Sequence, residues 1–207
     1  MPPKDIGSPP LTDDQLDPNP LHQFKLWYEQ AQTADLAEPH AMILATATPQ
    51  GKPGARIVLL RGLNDQGLEF YTNYQSRKTQ EITVNAQVGL TFYWMPLHRQ
   101  VRIEGIAHEL SSAESDHYFQ QRPHASKVGA WASQQSTVIP DREHLESRVF
   151  DLEQRYLDQP IPRPPHCGGY RVVPTVFEFW QEQPHRLHDR LRHTRQADSW
   201  LIERLAP

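Results

Sequence analysis

The sequence predicts a mainly β protein with flanking helices, a β-barrel against which a few helices pack. Three observations carry this. Short runs rich in β-branched and aromatic residues recur along residues 41–110 and again after residue 168. Gly51, Gly54, Gly67 and Asn64-Asp65 punctuate the first group at spacings too short for crossover helices, so the strands pair as antiparallel hairpins. Helical periodicity is confined to a few segments, and five Trp, seven Tyr and seven Phe supply a core.

In chain order, residues 1–19 hold Pro2, Pro3, Pro9, Pro10 and Pro18 and are read as a flexible, acidic, Pro-rich arm, followed by one domain over 20–207. Leu21, Phe24, Tyr28 and Ala31 recur at helical spacing, which predicts an amphipathic helix over about 20–34. AMILATAT, ARIVLLRG, LEFYTN, VGLTFYWM and QVRIEGIAHEL read as strands, and TQEITVN between the third and fourth reads as helix. Ser111 and Glu114 form a capping box for a helix that Pro123 ends. Leu145, Val149, Leu152 and Tyr156 mark a further helix over about 141–158. After a Pro-rich link and Gly168-Gly169, strands resume at YRVVP, TVFEFWQ and HRLHDRLRH and end at SWLIERL.

Charge and composition set limits on function. The formal net charge is −4, of which residues 1–20, with Lys4 against Asp5, Asp13, Asp14 and Asp17, carry −3. A nearly neutral body is not a general nucleic-acid binder. The single cysteine, Cys167, excludes an internal disulfide and a multi-cysteine zinc site, and fits a reducing, cytoplasmic setting. It reads as an inert thiol in a loop with little positive charge nearby. No apolar run reaches the roughly 20 residues of a membrane span, and the N-terminus lacks a signal-like apolar run. Dinucleotide, P-loop, nucleophile-elbow and zincin motifs are missing.

What remains is a set of cations placed where anions could dock. In NYQSRK, Ser76 is a candidate N-cap that puts Arg77 and Lys78 in a first helical turn, which the helix dipole disfavours unless an anion sits there; an exposed basic turn fits this segment equally well. In HRLHDR, strand parity puts Arg186, His188 and Arg190 on one face, suited to a planar anion, while His185 and His188 fall on opposite faces, against a metal. A solvated charged strand is the alternative. Tyr118 and Arg122 share a helix face and Ser126 follows, a phenol, guanidinium and hydroxyl that could grip a phosphate or form a plain surface pair. In ARIVLLR, Arg56, Val58 and Leu60 share one face and Ile57, Leu59 and Arg61 the other; the two arginines require anionic partners unless they lie at exposed strand ends. In VFEFW the Phe pair reads as core, and Trp180 as core or as a surface for a cofactor.

RIVLLR, FYTNYQSRK, RQVRIEG, YFQQRP, GAWASQQS, FEFWQ and HRLHDRL, in this order, resemble the FMN-dependent pyridoxamine/pyridoxine 5′-phosphate oxidase family, from about Asp17 to the final ERLAP. The resemblance implies a split β-barrel, a homodimer with FMN at its interface, and oxidation of pyridoxamine or pyridoxine 5′-phosphate by O2 to pyridoxal 5′-phosphate with release of hydrogen peroxide. It implies that Arg56, Ile57, Val58, Leu59, Leu60 and Arg61, with Tyr71, Thr72, Ser76, Arg77, Lys78 and Gln100, hold FMN from one subunit. Gln135, Ser136, Trp180 and Arg190 would complete the flavin site, some from the partner chain. Arg61, Tyr118, Arg122 and Ser126 would hold the substrate phosphate, and Arg186 and His188 would cover the substrate ring. Two features depart from the family: Arg61 stands where a lysine is usual, and the arm lacks an Arg- and Tyr-containing segment before Asp17. A related FMN oxidase of another aromatic metabolite, such as a phenazine precursor, and a flavin-binding module without turnover are the competing readings.

Overall fold

The computed structural model describes residues 9–207. The first eight residues of the expected arm therefore lie outside the described residues. Residues 9–19 are packed rather than loose: Leu11 and Leu16 are buried, Asp189 Oδ2 accepts from the Leu11 amide, and Gln181 Nε2 donates to the Pro9 carbonyl. Proline spacing misled here because two leucines suffice to dock the segment.

Helix α1 (Pro20–Thr33) starts where Asn19 caps the Leu21 amide and Pro20 fits the first turn. Its inner face, Phe24, Trp27 and Ala31, enters the core, where Phe24 meets Phe92 at 4.9 Å between ring centroids.

The strands are β1 (Ala41–Ala47), β2 (Pro53–Leu59), β3 (Gly62–Asn64), β4 (Gly67–Asn73), β5 (Gln87–Trp94), β6 (Arg99–Glu109), β7 (Cys167–Gln181), β8 (Asp189–Gln196) and β9 (Ser199–Arg204). All pairings are antiparallel, in the order β2-β1-β5-β6-β7-β4-β3. β2 returns against β4, so the sheet curls into a barrel. The barrel is split along one strand. The edge of β7 opposite β6 pairs with β4 over Cys167–Val172 and with β8 over Val176–Gln181, and β9 extends β8. The architecture is the split β-barrel with flanking helices.

Period-two burial fixes the faces. The inner row Leu44, Leu90, Ile103 and Phe177 is in consecutive register and buried. The outer row Ile43, Thr91, Arg102 and Glu178 lies one residue away on each strand.

Helix α2 (Arg77–Val84) follows β4, and α3 (Ser112–Gln121) begins at the Ser111–Glu114 capping box. Helix α4 (His124–Ala132) is one the sequence reading lacked. Pro123 does end α3, but it is also the N-cap position of α4, since a fixed φ and a missing amide are compatible with a helix start. Helix α5 (Arg142–Arg155) closes a second apolar cluster of Phe119, Val128, Tyr156, Ile161 and Cys167. No described helix is long and apolar enough to cross a membrane.

Candidate functional site

The site is built at the turn from β4 into α2. Asn73 Oδ1 accepts from the Gln75 amide at 2.7 Å, turning the chain so that Ser76 precedes the first helical residue. Lys78, in the first turn, reaches back over that turn. Its Nζ donates to Thr72 Oγ1 and Ser76 Oγ, both at 3.0 Å, and to Gln135 Oε1 at 2.5 Å. Burial, and then the charge of Arg56, lowers the Lys78 ammonium to a pKa of about 8.

Arg77 turns the other way. Its Nε donates to Glu81 Oε1 at 2.8 Å, and its amide donates to Ser136 Oγ at 3.3 Å. Arg56 points to the inner face with Leu44, its register partner, and pairs with Glu81 Oε2 at 3.0 Å. Hydrogen bonds from Thr46 first, and from Arg77 and Arg56, hold the Glu81 carboxyl at a pKa of about 2 against the opposing effect of burial. Neither Arg56 nor Arg77 lines the cavity described next, nor do Leu60, Ser76 and Ser136. The two arginines anticipated as anion ligands thus already have an anion, Glu81.

A cavity of about 470 Å³ opens beside this turn. Ile57, Val58, Leu59 and Arg61 from β2 and its exit form one wall, with Tyr71, Thr72 and Lys78 beside them. Tyr118 and Arg122 from the end of α3, Ser126 from the first turn of α4, and Gln135 form another. Tyr118 stacks on Tyr71 with ring centroids 3.6 Å apart. Burial, followed by the charge of Glu69, pushes the Tyr71 phenol up to about 12, so it stays protonated. Among the described residues, Arg61, Lys78 and Arg122 are the Lys and Arg side chains of this cavity, and no carboxylate lines it. Lys78 and Arg122 contact hydroxyls, an amide, the Phe119 ring and the Cys167 thiol instead. Its size suits a small-molecule ligand, and its charge and hydroxyls suit phosphate.

Asn73, Ser133, His166 and Cys167 also line the cavity and were not anticipated. Ser133 follows the unforeseen α4, and His166 and Cys167 follow a Pro-rich link that gives no periodic signal. Cys167 opens β7 rather than lying in a loop, and Arg122 Nη1 comes within 3.9 Å of its sulfur. The expectation of little positive charge was wrong, yet burial outweighs Arg122 and Arg163 and raises the thiol pKa.

The remaining candidates form a second group away from this cavity. Gln100, Trp180 and Arg190 are consecutive register partners across β6, β7 and β8. Gln100 therefore stands with Trp180 and Arg190, whereas Gln135 and Ser136 stand with Lys78 and Arg77 of their own chain. Strand parity for Arg186, His188 and Arg190 does not hold: β8 begins at Asp189, and Pro184–Arg186 is a single 3-10 turn with left-handed backbone at His185 and Arg186. The turn was hidden because Pro184 alone marks it, and neither His185 nor Arg186 is the glycine that usually announces a left-handed backbone. His188 nevertheless lies against Trp180, ring centroids 4.7 Å apart, and its Nδ1 accepts from the Gln183 amide, which leaves the neutral ring's proton on Nε2.

Comparison with known proteins follows this division of the chain. The profile described as "Pyridoxamine 5'-phosphate oxidase" matches residues 28–156, and one described as "Pyridoxine 5'-phosphate oxidase C-terminal dimerisation region" matches residues 168–207. The chain is 52% identical to a pyridoxine/pyridoxamine 5′-phosphate oxidase of Cyanothece sp. over 99% of this chain and 96% of that one. It is 53% identical to a protein of the same name from Rubrobacter xylanophilus over 95% and 91% of the two chains. Among solved structures, PhzG from Burkholderia lata 383, in complex with tetrahydrophenazine-1-carboxylic acid, superposes with a TM-score of 0.90 at 33% identity, covering 96% of this chain and 98% of that one. A pyridoxamine 5′-phosphate oxidase-related, FMN-binding protein from Nostoc punctiforme shares the fold, with a TM-score of 0.74 at 18% identity over 93% of this chain and 100% of that one. On the length and continuity of these matches, the chain belongs to the pyridoxamine 5′-phosphate oxidase family.

Proposed function

We propose that this chain binds FMN as a homodimer and oxidises pyridoxamine or pyridoxine 5′-phosphate to pyridoxal 5′-phosphate, with O2 as the final acceptor. The single observation that carries the reading is a cavity whose walls, among the described residues, hold three cations and no carboxylate. The residues fit two phosphates. Lys78, with Thr72 and Gln135 at its ammonium, makes one anion site for FMN. Tyr118, Arg122 and Ser126, with Arg61 across the cavity, make another for the substrate.

Gln100, Trp180 and Arg190 do not line their own chain's cavity, so a second copy is needed to bring them to it. The outer sheet face supports this: Ile57, on the cavity wall, is 62% exposed, and Tyr93, in the row with Gln100 and Trp180, is 57% exposed. The dimerisation region matched at residues 168–207 contains Trp180 and Arg190.

Bound FMN would supply the redox chemistry, taking two electrons with the hydrogen at the substrate's C4′ carbon and passing them to O2. The chain's own residues bind, orient and exclude water. Amine, O2 and water give aldehyde, ammonia and hydrogen peroxide; the alcohol gives the aldehyde and peroxide without ammonia. The two phosphate sites would orient cofactor and substrate within one cavity. Arg186 offsets negative charge on the pyridine ring, and His188, with Nδ1 engaged by the Gln183 amide, donates from Nε2 to a ring substituent. No general base is assigned. A net charge of −4 supports a small-molecule rather than a nucleic-acid partner, and the single cysteine supports a cytoplasmic setting.

Similarity to PhzG favours a second reading, oxidation of a reduced phenazine precursor. The Tyr118, Arg122 and Ser126 set favours the phosphorylated substrate. Peroxide release by purified holoenzyme is expected with pyridoxamine 5′-phosphate and at least about tenfold less with pyridoxamine, as one charge-assisted phosphate contact is worth about 1.5–3 kcal/mol. Equal rates with and without the phosphate, or faster turnover of a dihydro- or tetrahydrophenazine carboxylic acid, would overturn the proposal.

A further inference from the structure

Glu178 is a carboxylate near the C-terminal end of the fifteen-residue strand β7, 7% exposed, and hydrogen-bonded by two arginines. A buried carboxylate is costly unless its charge is matched and its oxygens are hydrogen-bonded. Both conditions are met. Arg190 Nε donates to Glu178 Oε1 at 2.9 Å, and Arg102 Nη1 donates to Oε2 at 3.4 Å. Arg102 is the direct register partner of Glu178 on β6, whereas Arg190 is its diagonal neighbour on β8, opposite Trp180. Glu178 and Trp180, two residues apart, project from the same face of β7.

The contacts of Arg190 fix its plane. Its Nε is taken by Glu178, and its Nη1 donates to the Ala206 carbonyl at 2.9 Å. A guanidinium held at both of these nitrogens has little rotational freedom left and still presents its Nη2 hydrogens. Arg204, near the same C-terminal segment, is itself tied to Asp189 Oδ1 at 2.7 Å, so the backbone carrying Ala206 is anchored to the start of β8.

Resting on the reading of Arg190 as a cofactor ligand, we propose that Glu178 is the positioning residue of the flavin site: it presets the Arg190 guanidinium so that cofactor binding does not have to order it. It touches no ligand. Its effect travels through Arg190, because an amide in its place would put an NH2 group against one of two guanidiniums and leave that arginine free to turn away.

The test is a double-mutant cycle on FMN dissociation constants, read by quenching of flavin fluorescence on the apo dimer, with assembly checked by light scattering. Glu178→Gln is expected to weaken FMN by roughly tenfold or more, as loss of a charge-assisted hydrogen bond would. In an Arg190→Ala background the same change is expected to cost less than about twofold, because the residue it acts through is gone. Wild-type affinity in Glu178→Gln, an undiminished loss in the Arg190→Ala background, or failure of Glu178→Gln to form a folded dimer would each overturn the inference. If Arg190→Ala itself binds FMN as wild type does, it is the assignment of Arg190 to the cofactor that falls.

Discussion

Lys78 is a cation the fold makes easy to discharge. It is half-buried, its ammonium faces two hydroxyls and an amide, and its pKa lies near 8, well below the ordinary lysine value. The ammonium is therefore lost as pH rises through about 8, while a bound phosphate would pull the pKa back up and take up a proton. FMN affinity of the apo protein is expected to be highest near pH 7 to 7.5, where the phosphate is a dianion and Lys78 is charged, and to fall above pH 8; a titration series from pH 6 to 9.5 checks this, and no fall above pH 8 would rule Lys78 out as the phosphate ligand. Lys78→Ala is expected to weaken FMN at neutral pH by about tenfold or more, and Arg186→Ala to lower turnover with little change in FMN affinity. If both variants simply lose flavin, the division between the two groups of residues is wrong. At this scale the sequence revealed residue types better than their partners. Arg56, Arg77 and Lys78 looked alike as cations, and Glu81 separated them by claiming two. Glu81 lies four residues after Arg77 and on a different element from Arg56, and no local pattern announces the second pairing.

At the scale of elements, α2 is held to the β1–β2 hairpin by one buried cluster, in which Glu81 receives Thr46, Arg56 and Arg77. Glu81→Gln strands two guanidiniums and is expected to cost about 3 kcal/mol of stability, seen as a lower midpoint in urea unfolding of the apo protein; an unchanged midpoint would show that the cluster is replaceable by water. The carboxylate's low pKa makes its contribution complete above the ordinary Glu range and lost only as pH falls toward about 2. Strands and helices with regular signals were legible: α1, α5 and the strands β1, β5 and β6 read from their apolar residues, and α3 from its capping box and the proline that ends it. Among those that were not, β3 is only three residues long, and two others are instructive. HASKVGAWA is short and opens on the proline that closes its neighbour, and HRLHDR alternates like a strand while its first half is a turn held by left-handed backbone at His185 and Arg186.

At the scale of the whole molecule, the outer face of β2, β1 and β5 presents Ile43, Ile57 and Tyr93 to solvent in this single chain, beside the charged rows of β6 to β9. Ile57→Asp is expected to shift the dimer toward monomer and to release flavin at the same time; light scattering with absorbance detection reads both, and a flavin-loaded monomer would contradict a site shared between copies. No local pattern in the sequence sets Gln100 beside Trp180 and Arg190, which align only once three strands are in register. The barrel class was legible; the order of its strands was not, and that order carries a further consequence. Strand β7, at residues 167–181, joins three neighbours, β6, β4 and β8, yet it leaves the ribosome after both β4 and β6. Until then β6 and β4 each keep an open edge, and the inner row lacks Phe177 and Phe179. The nascent chain thus completes its barrel, and gains its cavity, only once residues 167–181 have emerged, so the strands made before them wait with unpaired edges during synthesis.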